Sequence, residues 1–199
     1  MRRSVGAVAE DMERCRELGV DYLIVHVGRA GESGVDEALT RVASSINRVF
    51  DRAGGKVMLL LENTAGMGSE VGYRLEQIAS VIERVELNER VGVVIDTAHL
   101  FAAGYELRTR QGLDDTLRSF DRLVGLGRLH LVHLNDSKSE MGSRVDRHWH
   151  IGMGEIGVLG FKEIVNHPLL HHLPGIMETP RHSVEDDLAN LRMLKRLEN

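Results

Sequence analysis

Short apolar runs alternate with amphipathic segments along the whole chain. The runs lie at positions 22–27, 56–61, 91–95, 129–134 and 175–177, and a continuous short run is typical of a strand buried on both faces. The segments between them carry apolar residues every three or four positions. This spacing predicts helices over 4–18, after Asp36, over 74–85 and 114–124, around 161–165, and from Ser183 onward.

Capping and turn residues mark where several of these helices begin and end. Ser4 and Asp36 are predicted N-caps, because their side-chain oxygens can accept hydrogen bonds from free backbone N–H groups. Gly19 and the pair Gly54-Gly55 are predicted to end the first two helices. In the last helix, the spacing predicts an inward face made of Leu188, Leu191, Leu194 and Leu197.

Strands that alternate with helices predict a parallel sheet in an α/β fold. A closed (β/α)₈ barrel needs eight strands and about 250 residues, whereas this chain has 199 residues and five predicted strands. An open doubly wound sheet would accommodate five strands, but no glycine-rich phosphate loop follows the first strand. We therefore predict a single domain over 1–199, a TIM-type barrel with about five of its eight βα units.

Composition limits where the protein acts and what it binds. The single cysteine, Cys15, excludes a disulfide framework and a cysteine-based zinc site. No apolar run could span a membrane, so we expect a cytoplasmic protein that contacts no membrane. A net charge of −5 disfavours simple electrostatic binding of nucleic acid, although bound cations at acidic residues would offset it.

Side chains that bind metal ions follow the predicted strands. In α/β barrels the C-terminal strand ends meet at one active site, so these side chains should converge. His99 lies three residues after Asp96 and can face the same side of the chain, and a later loop pairs Asp146 with His148, a set that suits zinc. A single one of them could be a polar strand end, but together they indicate a site. The candidate ligands are His26, Glu62, Asp96, His99, His133, Asp146, His148 and Glu178.

The number of candidate ligands indicates more than one metal ion. One zinc takes three or four protein ligands, so eight imply two or three ions. Clusters of this kind activate water and stabilise in-line displacement at phosphorus. The residues alone therefore predict a multinuclear metallohydrolase, foremost a phosphoesterase, in which Mn²⁺ or Fe²⁺ would accept similar ligands to Zn²⁺.

Six segments resemble the endonuclease IV family of apurinic/apyrimidinic endonucleases, which has a xylose isomerase-like barrel. They are 62–66 (ENTAG), 96–105 (DTAHLFAAGY), 133–138 (HLNDSK), 142–148 (GSRVDRH), 151–157 (IGMGEIG) and 178–180 (ETP). Their order and spacing fit the family over nearly the whole chain. The combination is far more specific than any single segment.

The resemblance implies three zinc ions and a role in DNA base excision repair. Such an enzyme cuts double-stranded DNA on the 5′ side of abasic sites and trims blocked 3′ ends. The resemblance implies that Glu62 bridges two zincs and that Glu178 orients the nucleophile, as the catalytic pair. Of the other ligands, it places His26 on the first zinc, Asp96 and His133 with Glu178 on the second, and His99, Asp146 and His148 on the third.

Weaker signals concern DNA contact. Arg144, Arg147 and Lys138 could contact phosphates, and Trp149 could line a DNA groove. Surface solubility explains the three basic residues about as well, and packing beneath the loop explains the tryptophan. We keep all four as candidate DNA-binding residues.

The chain departs from the family pattern near its start. Family members begin with further strands, which supply one more histidine ligand, so a zinc at His26 would lack that ligand here. After His26 the family often has proline and a second histidine, whereas this sequence has VGRA at 27–30. We expect an N-terminally truncated chain, explained by an incomplete reading frame, an internal Met1 or a shortened paralogue.

Two other functions stay open at this point. Sugar isomerases and epimerases of the same barrel class share the Glu, Asp, His and Glu pattern, but His99 and the loop from Asp146 to His148 add a third site. An incomplete barrel could also bind metal or DNA without turnover. The complete protein is expected to be a monomer, whereas an open barrel would expose the edge strand near Tyr22 and aggregate or pair through it.

Overall fold

A computed structural model gives the structure of residues 2–198. The strands are β1 (Tyr22–His26), β2 (Gly28–Arg29), β3 (Met58–Glu62), β4 (Glu70–Val71), β5 (Val91–Asp96), β6 (Leu129–His133), β7 (Asp136–Ser137), β8 (His148–Trp149) and β9 (Gly175–Ile176). The helices are α1 (Arg2–Leu18), α2 (Val35–Arg52), α3 (Leu75–Glu83), α4 (Thr97–Ala103), α5 (Arg110–Leu123), α6 (Gly157–Val165) and α7 (Val184–Leu197). The predicted alternation of strands and helices is therefore observed.

Five strands form one parallel sheet, whose order is β1-β3-β5-β6-β9. The spatial order follows the chain order without the reversal that defines a doubly wound sheet. Sequential parallel strands joined through helices are the arrangement of a TIM-type barrel, so the alternative of a doubly wound sheet is wrong. β1 and β9 form the two edges of the sheet, as predicted for the strand at Tyr22.

The core lies mainly between the sheet and its helices. Alternate residues of the central strands, such as Leu59 and Leu61 of β3, face this layer and are fully buried. The residues between them face the other side, where Leu60, Val94 and Leu131 form a second, smaller cluster. Burial on both faces explains why the strand sequences are continuously apolar.

Two short antiparallel pairs follow the C-terminal ends of the long strands. β2 pairs with β4, and β7 pairs with β8. The second pair connects the end of β6 to the segment that contains Asp146 and His148. Strands of two residues give no periodic signal, so the apolar pattern does not predict them.

Several predicted helix ends are wrong. Ser4 lies inside α1, which begins at Arg2, and Asp36 lies in the first turn of α2, whose N-cap is Gly34. α5 begins at Arg110 rather than near Asp114. The Thr109 side chain caps the helix, because its Oγ1 accepts a hydrogen bond from Gly112 N. Gly19, with φ of 68°, does end α1 as predicted.

The predicted inward face of α7 is correct only in its second half. Leu194 and Leu197 are buried, but Leu188 and Leu191 are each 41% exposed. The neighbouring strand β9 comprises only two residues, both exposed, at the edge of the sheet. Over residues 2–198, no helix combines the length and hydropathy needed to span a membrane.

Candidate metal centre

The sheet register brings four candidate ligands together at the C-terminal ends of the strands. His26 at the end of β1 is level with Glu62 at the end of β3, and Asp96 at the end of β5 is level with His133 at the end of β6. Parallel strands end on the same side, so their last side chains meet there. β9 ends at Ile176, one residue earlier than predicted. Glu178 therefore lies two residues beyond the strand.

Glu62 lies at the centre of this group. Its Oε1 accepts a hydrogen bond from His133 Nδ1 at 3.0 Å, and its Oε2 lies 3.2 Å from His26 Nε2. Burial favours the neutral acid, but the hydrogen bonds from His133 and His26 outweigh it and lower the pKa of Glu62 to about 2. The buried carboxylate is therefore ionised.

His99 is carried by α4, a helix that the sequence analysis did not predict. Asp96 caps this helix, because its Oδ1 accepts from His99 N at 2.8 Å. The cap turns the imidazole back over the strand ends, where Nδ1 lies 3.5 Å from Glu62 Oε1. Burial lowers the pKa of His99, but the charges of Asp96 and Asp146 outweigh it and raise the pKa to about 10.

The loop that follows β7 brings Asp146 and His148 to the same place. Asp146 Oδ1 lies 3.2 Å from His99 Nε2 and 3.6 Å from His148 Nε2. His148 Nε2 also lies 3.6 Å from Asp96 Oδ2. His133 Nδ1 lies 3.4 Å from Glu178 Oε2, which completes the group. All eight predicted side chains thus form one connected cluster.

The imidazoles of His99 and His148 are oriented to accept a cation. Nδ1 of His99 contacts Asn63 O at 2.9 Å, and Nδ1 of His148 contacts Glu178 O at 3.0 Å. A carbonyl oxygen only accepts, so each Nδ1 carries a proton, and Nε2 is the ring atom left to bind a metal ion once it is deprotonated. These Nε2 atoms are 3.2 Å apart, close enough for a proton on one of them, or a bound metal ion, to link the two rings.

Three sets of donor atoms are compact enough to hold an ion. Within each set the atoms lie within 4.8 Å of one another. Among residues 2–198 the ion pairs of the cluster's carboxylates are with histidines, and none involves lysine or arginine. Buried carboxylates need a compensating cation, and this donor set fits Zn²⁺, Mn²⁺ or Fe²⁺. The sets are His26, Glu62 and His99; Asp96, His99 and His148; and Glu62, Asp96, His133 and Glu178.

Buried amides and a hydroxyl orient the candidate ligands. Asn135 Nδ2 donates to Asp96 Oδ2 at 2.6 Å, and Asn135 Oδ1 accepts from Glu178 N at 2.7 Å. Asn63 exchanges two hydrogen bonds with the backbone of Asp96. The two asparagines therefore hold candidate ligands in place. Thr97, which shares hydrogen bonds with the backbone of Asn135, was not predicted.

The candidate DNA-binding residues lie on the loops around this cluster. Arg144 and Arg147 belong to the loop that carries Asp146, and both are exposed. The Arg144 guanidinium stacks on the ring of Tyr73 at 4.3 Å, and Lys138 Nζ lies 3.8 Å from the centre of the Trp149 ring. These rings hold the basic groups in place beside the cluster.

Comparisons with known proteins agree with this geometry. The family model described as "Xylose isomerase-like TIM barrel" matches residues 1–197. Probable endonuclease 4 of Chloroflexus aurantiacus is 45% identical over 197 residues, which cover 98% of this chain and 69% of the relative. The corresponding protein of Methanoculleus marisnigri is 44% identical, with 98% and 70% covered. The chain belongs to the endonuclease IV family.

Solved structures place the fold in the same family. Endonuclease IV from Thermus thermophilus superposes with a TM-score of 0.85 at 37% identity, over 98% of this chain and 68% of that one. A D-tagatose 3-epimerase-like protein superposes with a TM-score of 0.71 at 19% identity, over 98% of this chain and 68% of that one, which shows the shared barrel fold alone. This member of the endonuclease IV family thus forms a five-stranded sector of a TIM barrel.

Proposed function

We propose that this protein is a zinc-dependent apurinic/apyrimidinic endonuclease of DNA base excision repair. It would hydrolyse the phosphodiester on the 5′ side of an abasic site in double-stranded DNA and trim blocked 3′ ends. The observation that carries the proposal is the continuous cluster of four carboxylates and four imidazoles at the strand ends. Relatives named endonuclease 4 and the solved endonuclease IV share its barrel and support the substrate class.

The cluster divides into sites for three zinc ions. Glu62 would bridge two of them, because its two oxygens face His133 on one side and His26 on the other. Asp146, His99 and His148 would hold the third. When bound, such ions supply Lewis-acid stabilisation of charge at phosphorus and lower the pKa of water.

Glu178 is the side chain best placed to handle the proton of the attacking water. Its side chain is 50% exposed, whereas those of Glu62 and Asp96 are 5% and 0% exposed. The hydrogen bond from Glu178 N to Asn135 fixes its backbone. One carboxylate oxygen can therefore remain in the cluster while the other orients a water molecule on the solvent side.

The surrounding loops would bind the DNA. Arg144, Arg147 and Lys138 offer positive charge next to an acidic cluster, and bound zinc would reverse the local charge of that cluster. Trp149, stacked beside Lys138, provides a flat apolar surface at the same place. We propose that these four residues contact the phosphates and the groove beside the lesion.

A metal-dependent sugar isomerase or epimerase is the less favoured alternative. That class uses one or two metal ions held by the Glu, Asp, His and Glu pattern. Here His99, Asp146 and His148 form an additional donor group, with contacts of 3.2–3.6 Å between them. An isomerase site does not require this group, whereas a third ion beside a phosphodiester does.

The direct test is cleavage of an end-labelled duplex that contains one abasic-site analogue. The protein is assayed with a chelator and with added Zn²⁺, beside a Glu178→Gln variant that keeps the side-chain shape. We expect zinc-dependent incision 5′ to the lesion, reduced at least about 100-fold in the variant. An identical duplex without the lesion is the substrate control.

Two results would contradict the proposal. One is incision that persists at the same rate with Glu178→Gln or in the chelator. The other is the absence of incision by a chain that binds zinc and binds the duplex, which would favour the non-catalytic alternative.

A further inference from the structure

Asn190 is a buried polar residue on α7, a helix that supplies none of the eight candidate ligands. The residue is 3% exposed. Its Oδ1 accepts a hydrogen bond from Ile151 N at 2.8 Å, and its Nδ2 donates to Thr179 Oγ1 at 2.9 Å. Nδ2 also contacts Asp186 O in its own helix and lies 3.1 Å from His150 Nδ1. One side-chain amide thus joins α7 to two separate loops.

Both loops carry members of the metal centre. Ile151 lies three residues after His148, and Thr179 directly follows Glu178. The loops also meet directly, because His148 Nδ1 contacts Glu178 O at 3.0 Å. The hydrogen bonds of Asn190 therefore restrict how the loop of His148 and the loop of Glu178 lie relative to each other.

Helix α7 can serve as a fixed support for this amide. Its start is held by a capping box between Ser183 and Asp186, one turn before Asn190. Its last turns are anchored by the buried side chains of Leu194 and Leu197. The side chain of Asn190 is therefore attached to a helix that is anchored both before and after this residue.

Helix formation gives no reason for an asparagine at this position. Asparagine is an indifferent helix former, so the reason for it lies in the groups that its amide contacts. What an apolar side chain cannot provide is direction, because only the amide has a donor for Thr179 and an acceptor for Ile151.

We infer that Asn190 is a positioning residue of the metal centre, which sets the separation of His148 and Glu178. The inference rests on the metal centre of the proposed function and does not depend on the DNA substrate. Outer hydrogen-bond partners of metal ligands commonly change metal affinity by about 10–100-fold. We expect a loss in that range for Asn190→Leu.

The test uses Co²⁺ as a spectroscopic probe of the metal centre. Wild type, Asn190→Leu, Thr179→Val and Thr179→Ser are titrated with Co²⁺, and the visible absorption and chelator-competition affinity are recorded. Thr179→Val removes one partner of Asn190 without a cavity, so it tests the same link if Asn190→Leu fails to fold. Thr179→Ser keeps the hydroxyl, and Arg192→Ala changes an exposed residue of the same helix.

We expect weaker Co²⁺ binding and an altered spectrum for Asn190→Leu and Thr179→Val, with wild-type behaviour for Thr179→Ser and Arg192→Ala. A folded Asn190→Leu variant with the wild-type spectrum and affinity overturns the inference and leaves the metal centre intact, as does the same result for Thr179→Val. A wild-type chain that binds no Co²⁺ overturns the metal centre itself, and the inference with it.

Discussion

At the scale of single residues, buried carboxylates serve two different purposes in this chain. Glu62 and Asp96 contact histidines and amides at the candidate metal centre. Asp136, also buried, instead accepts hydrogen bonds from backbone N–H groups, and burial raises the pKa of its carboxyl against the effect of these donors. The donors belong to Ser137, Gly154, Ile156 and Gly157. Asp136 therefore fastens the segment beyond His148 to β7.

We predict that Asp136→Asn destabilises the fold by about 1–3 kcal/mol. The amide NH₂ would replace an acceptor and face backbone N–H groups that then lack a partner. The free energy of unfolding from urea denaturation measures the loss. Asp115→Asn, at an exposed position of α5, is the matched control and should leave the unfolding curve unchanged. Equal curves for both variants would mean that the backbone donors find other partners.

The histidine cluster predicts a pH dependence of the metal-free chain. The pKa of His99 is raised from 6.5 to about 10, so its stabilising charge is fully present below pH 6.5 and disappears as the pH approaches about 10. The pKa of Glu62 is lowered from 4.5 to about 2, so its contribution is present above pH 4.5 and disappears towards about pH 2.

The metal-free chain should therefore be most stable between about pH 4.5 and 6.5 as far as these two groups are concerned. Thermal unfolding in a chelator across this range and up to about pH 9 tests the prediction. His99→Gln should flatten the alkaline decline, whereas His172→Gln, at an exposed position, should not. A profile that rises towards alkaline pH would contradict the assigned protonation of His99.

At the scale of helices and strands, periodicity was a better guide than capping. The apolar spacing predicted the α2, α3, α6 and α7 segments and all five strands of the sheet, because each of these elements buries a face against the core. Ser4 and Asp36 failed as caps since a helix can begin at any residue whose backbone geometry allows it, and α2 begins at Val35 after Gly34.

Helix α4 shows why the rest of the fold could not be predicted from periodicity. It has seven residues, and six of them are buried, so it has no polar face to create an amphipathic pattern. Its start is set by Asp96, which also belongs to the candidate metal centre. Its burial comes from contacts between distant parts of the chain, and the positions of Tyr73 and Asn190 beside the site likewise depend on such contacts.

The edge strand β1 carries a prediction about association. Among the strands of residues 2–198, β1 pairs with β3 alone, and Tyr22 and Ile24 are only partly buried on the face of the sheet that carries Leu60. Unpaired strand edges of this kind associate, so we expect this chain to form dimers or larger species in size-exclusion chromatography. Ile24→Lys should reduce that association, while Val20→Lys, just before the strand, should not. A monodisperse, protease-resistant wild-type monomer would contradict the prediction.

At the scale of the whole molecule, the candidate metal centre is assembled from residues at or just beyond the ends of every strand of the sheet. His26 and Glu178 are more than 150 positions apart in the chain, yet they belong to one connected cluster. Five of the eight side chains could be expected to meet because each lies at or just beyond the end of a strand, and parallel strands end on the same side. His99 was chosen for its spacing from Asp96, and Asp146 and His148 as a pair of ligand types on a later loop. The distances between them depend on the sheet register and on the loops after β6 and β9, and so required the structure.

The most direct test of the proposed multinuclear metal centre is the number of zinc ions bound per chain. The protein is dialysed against buffered Zn²⁺ and analysed for metal and protein content, beside Glu62→Gln. We predict two or three ions for the wild type and at least one fewer for Glu62→Gln, since Glu62 is proposed to bridge two of them. Absence of bound zinc, or a single ion that is unaffected by Glu62→Gln, would contradict a multinuclear centre.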